Sequence, residues 1–209
     1  APTGILVNAG EGLGYRLFGL DGQLLGEWLT ASPMFGRNEG IHLVGATGAL
    51  VFLGSQDNVP ALMISQQGAL SPLVTFPQPQ QFGGMVSLPG STQIAYTAFE
   101  PAEDGTVLRS RLYIGEPGTL SSAAPVLTYD SRESTYIQPL ALHTGEAGVE
   151  GVWYTYTMWG IGGGPLVDPR LGLVYLDLAT GSTLDGLGTD QGFSGLSPDQ
   201  TWAAWVTIL

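Results

Sequence analysis

The stretch Phe193-Ser194-Gly195-Leu196, Ser197-Pro198-Asp199-Gln200, Thr201-Trp202-Ala203-Ala204-Trp205-Val206-Thr207 joins an apolar run, a tight polar turn and a run of aromatic and β-branched residues. A helix competes with this strand–turn–strand reading. Ser197 and Gln200 form a capping box, with Pro198 at the first helical position. Two features favour strands. Trp202, Trp205, Val206, Thr207 and Ile208 are β-formers. The same unit also recurs where no helix fits, at 41–44, 45–48 and 49–53, at 85–88, 89–92 and 93–97, and at 139–142, 143–150 and 151–157.

Second strands start near 50, 94, 152 and 203, so the repeats lie roughly 44, 58 and 51 residues apart, against about 40–50 for one propeller blade. A second hairpin falls between consecutive copies. It occupies 16–20 and 23–28 around Asp21-Gly22, 61–65 and 69–76 around Gln67-Gly68, 111–114 and 119–129 around Pro117-Gly118, and 172–178 and 182–187 around Thr180-Gly181. Each turn carries a glycine, the residue that takes positive φ at least cost. The expected unit is four strands, A to D, whose apolar face is covered by stacking on the next copy. The fold class is all-β: a β-propeller of four-stranded antiparallel blades with about four to five blades present. One domain spans 1–209. A closed five-bladed ring and a segment of a longer propeller both fit the strand count, with Gly4–Asn8 lacking an obvious partner in the closed ring.

Composition narrows the function classes. The chain has 209 residues with 18 acidic and 6 basic side chains, net −12, and all six basic residues are arginine. Such a charge repels phosphate and anionic lipid, which excludes nucleic acid as a partner. No apolar run is long enough to span a bilayer as a helix. Cysteine is absent, which removes disulfides, thiolate metal sites and cysteine nucleophiles together. The start at Ala1-Pro2-Thr3 without methionine suggests a processed or excised segment, and the Lys-free, Cys-free acidic composition points to an extracytoplasmic protein.

The segment Ser197-Pro198-Asp199-Gln200-Thr201-Trp202-Ala203-Ala204-Trp205-Val206 resembles the SPDG-x-W signature of the TolB-like (PD40, WD40-like) β-propeller repeats. Val174-Tyr175-Leu176-Asp177-Leu178-Ala179-Thr180-Gly181 is similar to the third strand and turn of the same family. The match covers 172–207. Leu88-Pro89-Gly90-Ser91-Thr92-Gln93-Ile94-Ala95-Tyr96-Thr97 is a weaker copy, the unit near 50 lacks the signature, and Gln200 stands where the family has glycine. The resemblance implies a fold rather than a chemistry, since such propellers serve as binding proteins, peptidase domains and sensor ectodomains.

Connections on the B–C and D–A side read as long: 54–60, 99–108 and 158–171, with 30–40, 77–84 and 130–138. Long loops on a rigid scaffold are where binding concentrates. The candidate binding residues there are Trp159, Glu100, Glu103, Asp104, Asp130 and Arg132. A protein or peptide is the expected partner, taken up by a non-catalytic recognition or scaffolding module. The alternatives are the accessory propeller of a larger hydrolase of the prolyl-oligopeptidase type, and a propeller glycosidase. No cofactor is expected, although calcium on the carboxylates of 100–105 is conceivable.

Catalytic motifs fail on their details. Ile5 to Gly14 imitates a dinucleotide loop, but Asp21-Gly22 breaks the helix that should follow. Gly192-Phe193-Ser194-Gly195 falls one residue short of a nucleophile elbow, and His42 and His143 read as structural. Trp153, Tyr154, Tyr156 and Trp205 alternate along strands, and Trp205 is expected in the core between units.

Overall fold

The computed structural model describes residues 4–8, 15–28, 41–44, 48–66, 69–88, 91–102, 107–146, 148–159, 170–197 and 200–207. Strands follow one another in chain order through four sheets, and every hydrogen-bonded pair is antiparallel. The first sheet holds β1 (Gly4–Asn8), β2 (Tyr15–Gly19) and β3 (Leu24–Trp28). The second holds β4 (Ile41–Val44), β5 (Ala49–Gln56), β6 (Val59–Gln66) and β7 (Ala69–Thr75). The third holds β8 (Gln81–Ser87), β9 (Ile94–Pro101), β10 (Leu108–Gly115) and β11 (Leu127–Ser131). The last holds β12 (Thr135–Gly145), β13 (Gly148–Met158), β14 (Arg170–Asp177), β15 (Thr183–Leu196) and β16 (Ala203–Thr207).

The last sheet has five strands because one strand serves two hairpins. The first part of β15, Thr183 to Leu187, pairs with β14, and Gln191 to Leu196 pairs with β16. No loop separates the end of one unit from the start of the next. Gly4–Asn8 does have a partner: it pairs with β2 from Gly4↔Gly19 to Asn8↔Tyr15.

Packing proceeds sheet upon sheet. Val51, Leu62 and Phe76 of the second sheet and its edge meet Ile94, Tyr96 and Ala98 of the third. The third meets the last through Ala95 and Leu112 against Ile137, Val152, Tyr154 and Val174. Strand β9 is therefore buried on both faces: burial runs unbroken from Ile94 to Phe99, with Thr97 the one buried residue there of the polar kind. Each large side chain so buried contributes about 1.5–3 kcal/mol.

Four expectations change. The 54–60 connection is not long: β5 and β6 meet through Asp57 and Asn58, both at positive φ (52° and 65°), a pair that suits a two-residue hairpin turn. Asp130 is within β11, and only 132–134 separate β11 from β12. The strand expected over 119–129 is instead a 3₁₀ turn, Leu120–Ser122, whose Leu120 is buried, followed by β11. Trp205 is 51% exposed, not core, because among the described residues β16 is an edge strand paired only with β15. The loops 30–40, 103–106 and 160–169 lie outside the described residues.

Gln200, where the pattern it resembles has glycine, has φ 59°, the left-handed conformation glycine would take freely. Its side chain donates from Nε2 to the Leu142 carbonyl at 2.9 Å, and Oε1 meets His143 Nδ1 at 3.4 Å. The backbone cost is offset by tying the β15–β16 turn to β12. Ser197 Oγ accepts from the Thr201 and Trp202 amides, so the serine that would cap a helix closes a hairpin.

Candidate functional site

Trp159 follows β13 and is 41% exposed. Its amide donates to the Ser134 carbonyl at 2.7 Å, which fastens it to the turn between β11 and β12. That turn is itself pinned. Ser131 Oγ meets Thr135 Oγ1 at 2.7 Å and accepts from the Glu133 and Thr135 amides, while Ser134 takes φ 56°. The Trp159 ring stands edge-on to Phe99, with centroids 6.3 Å apart at 69°. Phe99 in turn stacks on Tyr136 at 4.3 Å and 13°. A buried ring thus supports two partly exposed ones where β9 and β13 end and β12 begins.

Gly83 explains how this stack fits against β8. A Cβ there would approach Tyr136 Cδ2 to 3.0 Å, and Phe99 and Thr97 to 3.2 Å, so glycine lets β8 run alongside the rings. Thr157 Oγ1 donates to Gln138 Oε1 at 2.9 Å just beyond, holding β12 to β13.

The expected acids do not join this ledge. Glu100 pairs with Arg111 Nη1 at 2.6 Å, and Asp130 accepts two bonds from Arg109, at 2.8 and 2.7 Å. Phe99 and Glu100 are adjacent in β9, so their side chains leave opposite faces of the sheet. Hydrogen bonding from Arg109 holds the Asp130 carboxyl below its ordinary range, aided by the charges of Arg109 and Arg111 against slight desolvation. Both acids are thus paired ions. The exposed Arg109–Asp130 pair contributes little, about 0–1 kcal/mol. Arg132 is exposed on the turn below Trp159, and Glu103 and Asp104 lie outside the described residues.

Among the described residues no group of three or more His, Asp or Glu could hold a metal ion, and the loop expected to take calcium lies mostly outside them. His143 is exposed on β12, meets Gln200, and stands edge-on to Tyr175 at 5.7 Å. Asp177 accepts from the Thr180 amide and hydroxyl, at 2.8 and 2.9 Å, and so stabilises its turn. The sequence singled out Trp159 by name, whereas Phe99 and Tyr136 fall within the 99–108 and 130–138 connections without being singled out, each an aromatic at the end of one strand or the start of another.

The serial antiparallel sheets packed face to face define an all-β, propeller-type fold. One solved structure agrees. An oligogalacturonate lyase in complex with manganese, a β-propeller protein, superposes with TM-score 0.58 at 13% identity, over 90% of this chain and 50% of that one. An oligogalacturonate lyase from Vibrio parahaemolyticus gives TM-score 0.48 at 13% identity, over 87% and 48%. The AtxE2 isopeptidase with Astexin3-dC4 bound gives 0.43 at 14%, over 84% and 24%. The chain spans about half the length of the lyases it matches. No family model and no curated protein matches the sequence. Among the described residues no helix is long and apolar enough to cross a membrane.

Proposed function

We propose that this chain is a non-catalytic recognition module built of TolB-like four-stranded blades in one domain, part of a longer propeller, and that it works outside the cytoplasm. It takes a protein or peptide partner on the ledge formed by Trp159, Phe99 and Tyr136. One observation carries the reading: Trp159 is held in place by its amide and by the ring beneath it, yet presents nearly half its surface to solvent. A pre-positioned tryptophan loses little entropy on binding, and such residues dominate recognition energetics.

The likeness to oligogalacturonate lyase raises a uronate oligosaccharide as a second ligand. Two observations count against it. Arg109 and Arg111, which flank the rim, are already paired with Asp130 and Glu100, and the chain carries net charge −12.

Peptides selected from a displayed random library against the protein provide the probe, with trigalacturonate as the counter-probe. Trp159→Ala is expected to weaken the selected peptides about tenfold or more, about 1.4 kcal/mol, while the melting temperature stays within about 2 °C. Equal affinity for the variant defeats the reading. Saturable trigalacturonate binding that is lost in Trp159→Ala replaces it with a carbohydrate function.

A further inference from the structure

Away from the first sheet and the far side of the last, the described residues expose only two large apolar side chains, Val126 and Trp159. Val126 precedes β11 and Ser131 ends it, so Val126 lies at the other end of that strand from the turn that holds Trp159. With Phe99 buried beneath it and Tyr136 only half-exposed, Trp159 offers a partner one ring face rather than an apolar patch. A leucine or phenylalanine laid there would stay largely in water. A cation gains more, because the face of an indole is the negative side of its quadrupole.

The charges around that ring are unequal. Glu100 and Asp130 are neutralised by Arg111 and Arg109. Arg132 and Glu133 are exposed on the turn whose Ser134 carbonyl receives the Trp159 amide. Neither of them forms an ion pair among the described residues. In sequence, the connections that follow β9 and β13, at 102–107 and 160–169, add Glu103, Asp104 and Asp168 and no basic residue. Four carboxylates are thus set against one guanidinium, in a chain of net charge −12 that has no lysine. Such a field concentrates cations and turns anions away.

We infer, resting on the reading of this ledge as a peptide site, that its partner is basic: a segment that lays an arginine or lysine side chain over the face of Trp159. The charged head meets the ring's negative face while the alkyl stem covers the indole. The excess carboxylates speed the encounter and reject acidic competitors.

Peptides selected from the displayed random library supply the probe. The selected pool is expected to be enriched in arginine and lysine over the unselected library. Replacing those residues by glutamine in the tightest peptide should weaken it about tenfold or more. Raising salt from about 0.05 M to about 0.5 M should weaken the parent peptide about threefold or more. Glu133→Gln is expected to weaken it about two- to fivefold, and Arg132→Gln to tighten it by a similar factor. Trp159→Phe, which keeps a π face, should retain more affinity than Trp159→Leu, which keeps only apolar surface. The replacements within the peptide leave the protein unaltered, so they decide the matter even where a variant loses its strand signal. Peptides that need Trp159 but are neutral or acidic, that ignore salt, or that bind Trp159→Leu as well as Trp159→Phe overturn the basic partner while the peptide reading stands. A pool in which no peptide depends on Trp159 overturns that reading, and this inference with it.

Discussion

Strands β5 and β16 are the same element of the repeat, and they fare in opposite ways. The 49–53 segment has lost the repeat signature, yet Ala49, Leu50 and Val51 are fully buried and Phe52 nearly so. The 197–206 segment is the one that most resembles that signature, yet Trp202 is 71% exposed and Trp205 51%. The difference lies in neighbours. Strand β5 has β4 and β6 beside it, with the first and third sheets on its two faces. Among the described residues, strand β16 has β15 alone. The signature specifies a hairpin, and burial is decided by what stacks on that hairpin.

The largest effect expected from this contrast is at Leu50. Its side chain lies between the first and second sheets with no room to relax into solvent, so Leu50→Ala should cost about 2–5 kcal/mol as a transfer plus cavity penalty. Urea denaturation measures it. A cost under about 1 kcal/mol would mean that the first sheet does not pack on the second.

The order of the sheets was legible in the sequence because the turn chemistry was. Asp21-Gly22 and Thr180-Gly181 stand at turns whose glycines take positive φ, and the apolar runs between such turns became strands. Loop lengths were misread for a physical reason. Gly54, Ser55 and Gln56 look like loop residues by composition, but their backbone groups pair with β6, so the strand runs on to the turn at Asp57-Asn58. The same error placed Asp130 in a loop. A carboxylate in a sequence does not announce its partner, and Arg109 is 21 residues away along the chain. Trp159 was legible as an exposed aromatic beside a glycine-rich segment. Phe99 and Tyr136 were not, because only the stacking of one sheet on the next brings them under it.

The middle sheets can be set against bulk solvent by raising pH. Tyr96 and Tyr154 are buried in the two inter-sheet cores, and burial foremost pushes both phenols above their ordinary range, with Tyr113 and Tyr156 adding to the effect. A group whose folded pKa is raised contributes stability that is complete below its unfolded value, about 10, and is lost as pH climbs from there toward the folded value. Absorbance of phenolate should show these two tyrosines titrating only with unfolding, at a midpoint well above that of free tyrosine. Reversible titration of all tyrosines near the ordinary value, with the strand signal intact, would show that the cores admit solvent.

The smallest effect belongs at the other end of the comparison. Trp205→Ala should cost about 1–2 kcal/mol, below the 3–5 of a fully buried aromatic. Trp202→Ala should cost less again, about 1 kcal/mol or under, since more of its ring already meets water. The ranking matters more than either value, because it follows from exposure alone. If Trp205→Ala destabilises the monomer as severely as Leu50→Ala, β16 is covered within its own chain, and the contrast between the two strands disappears.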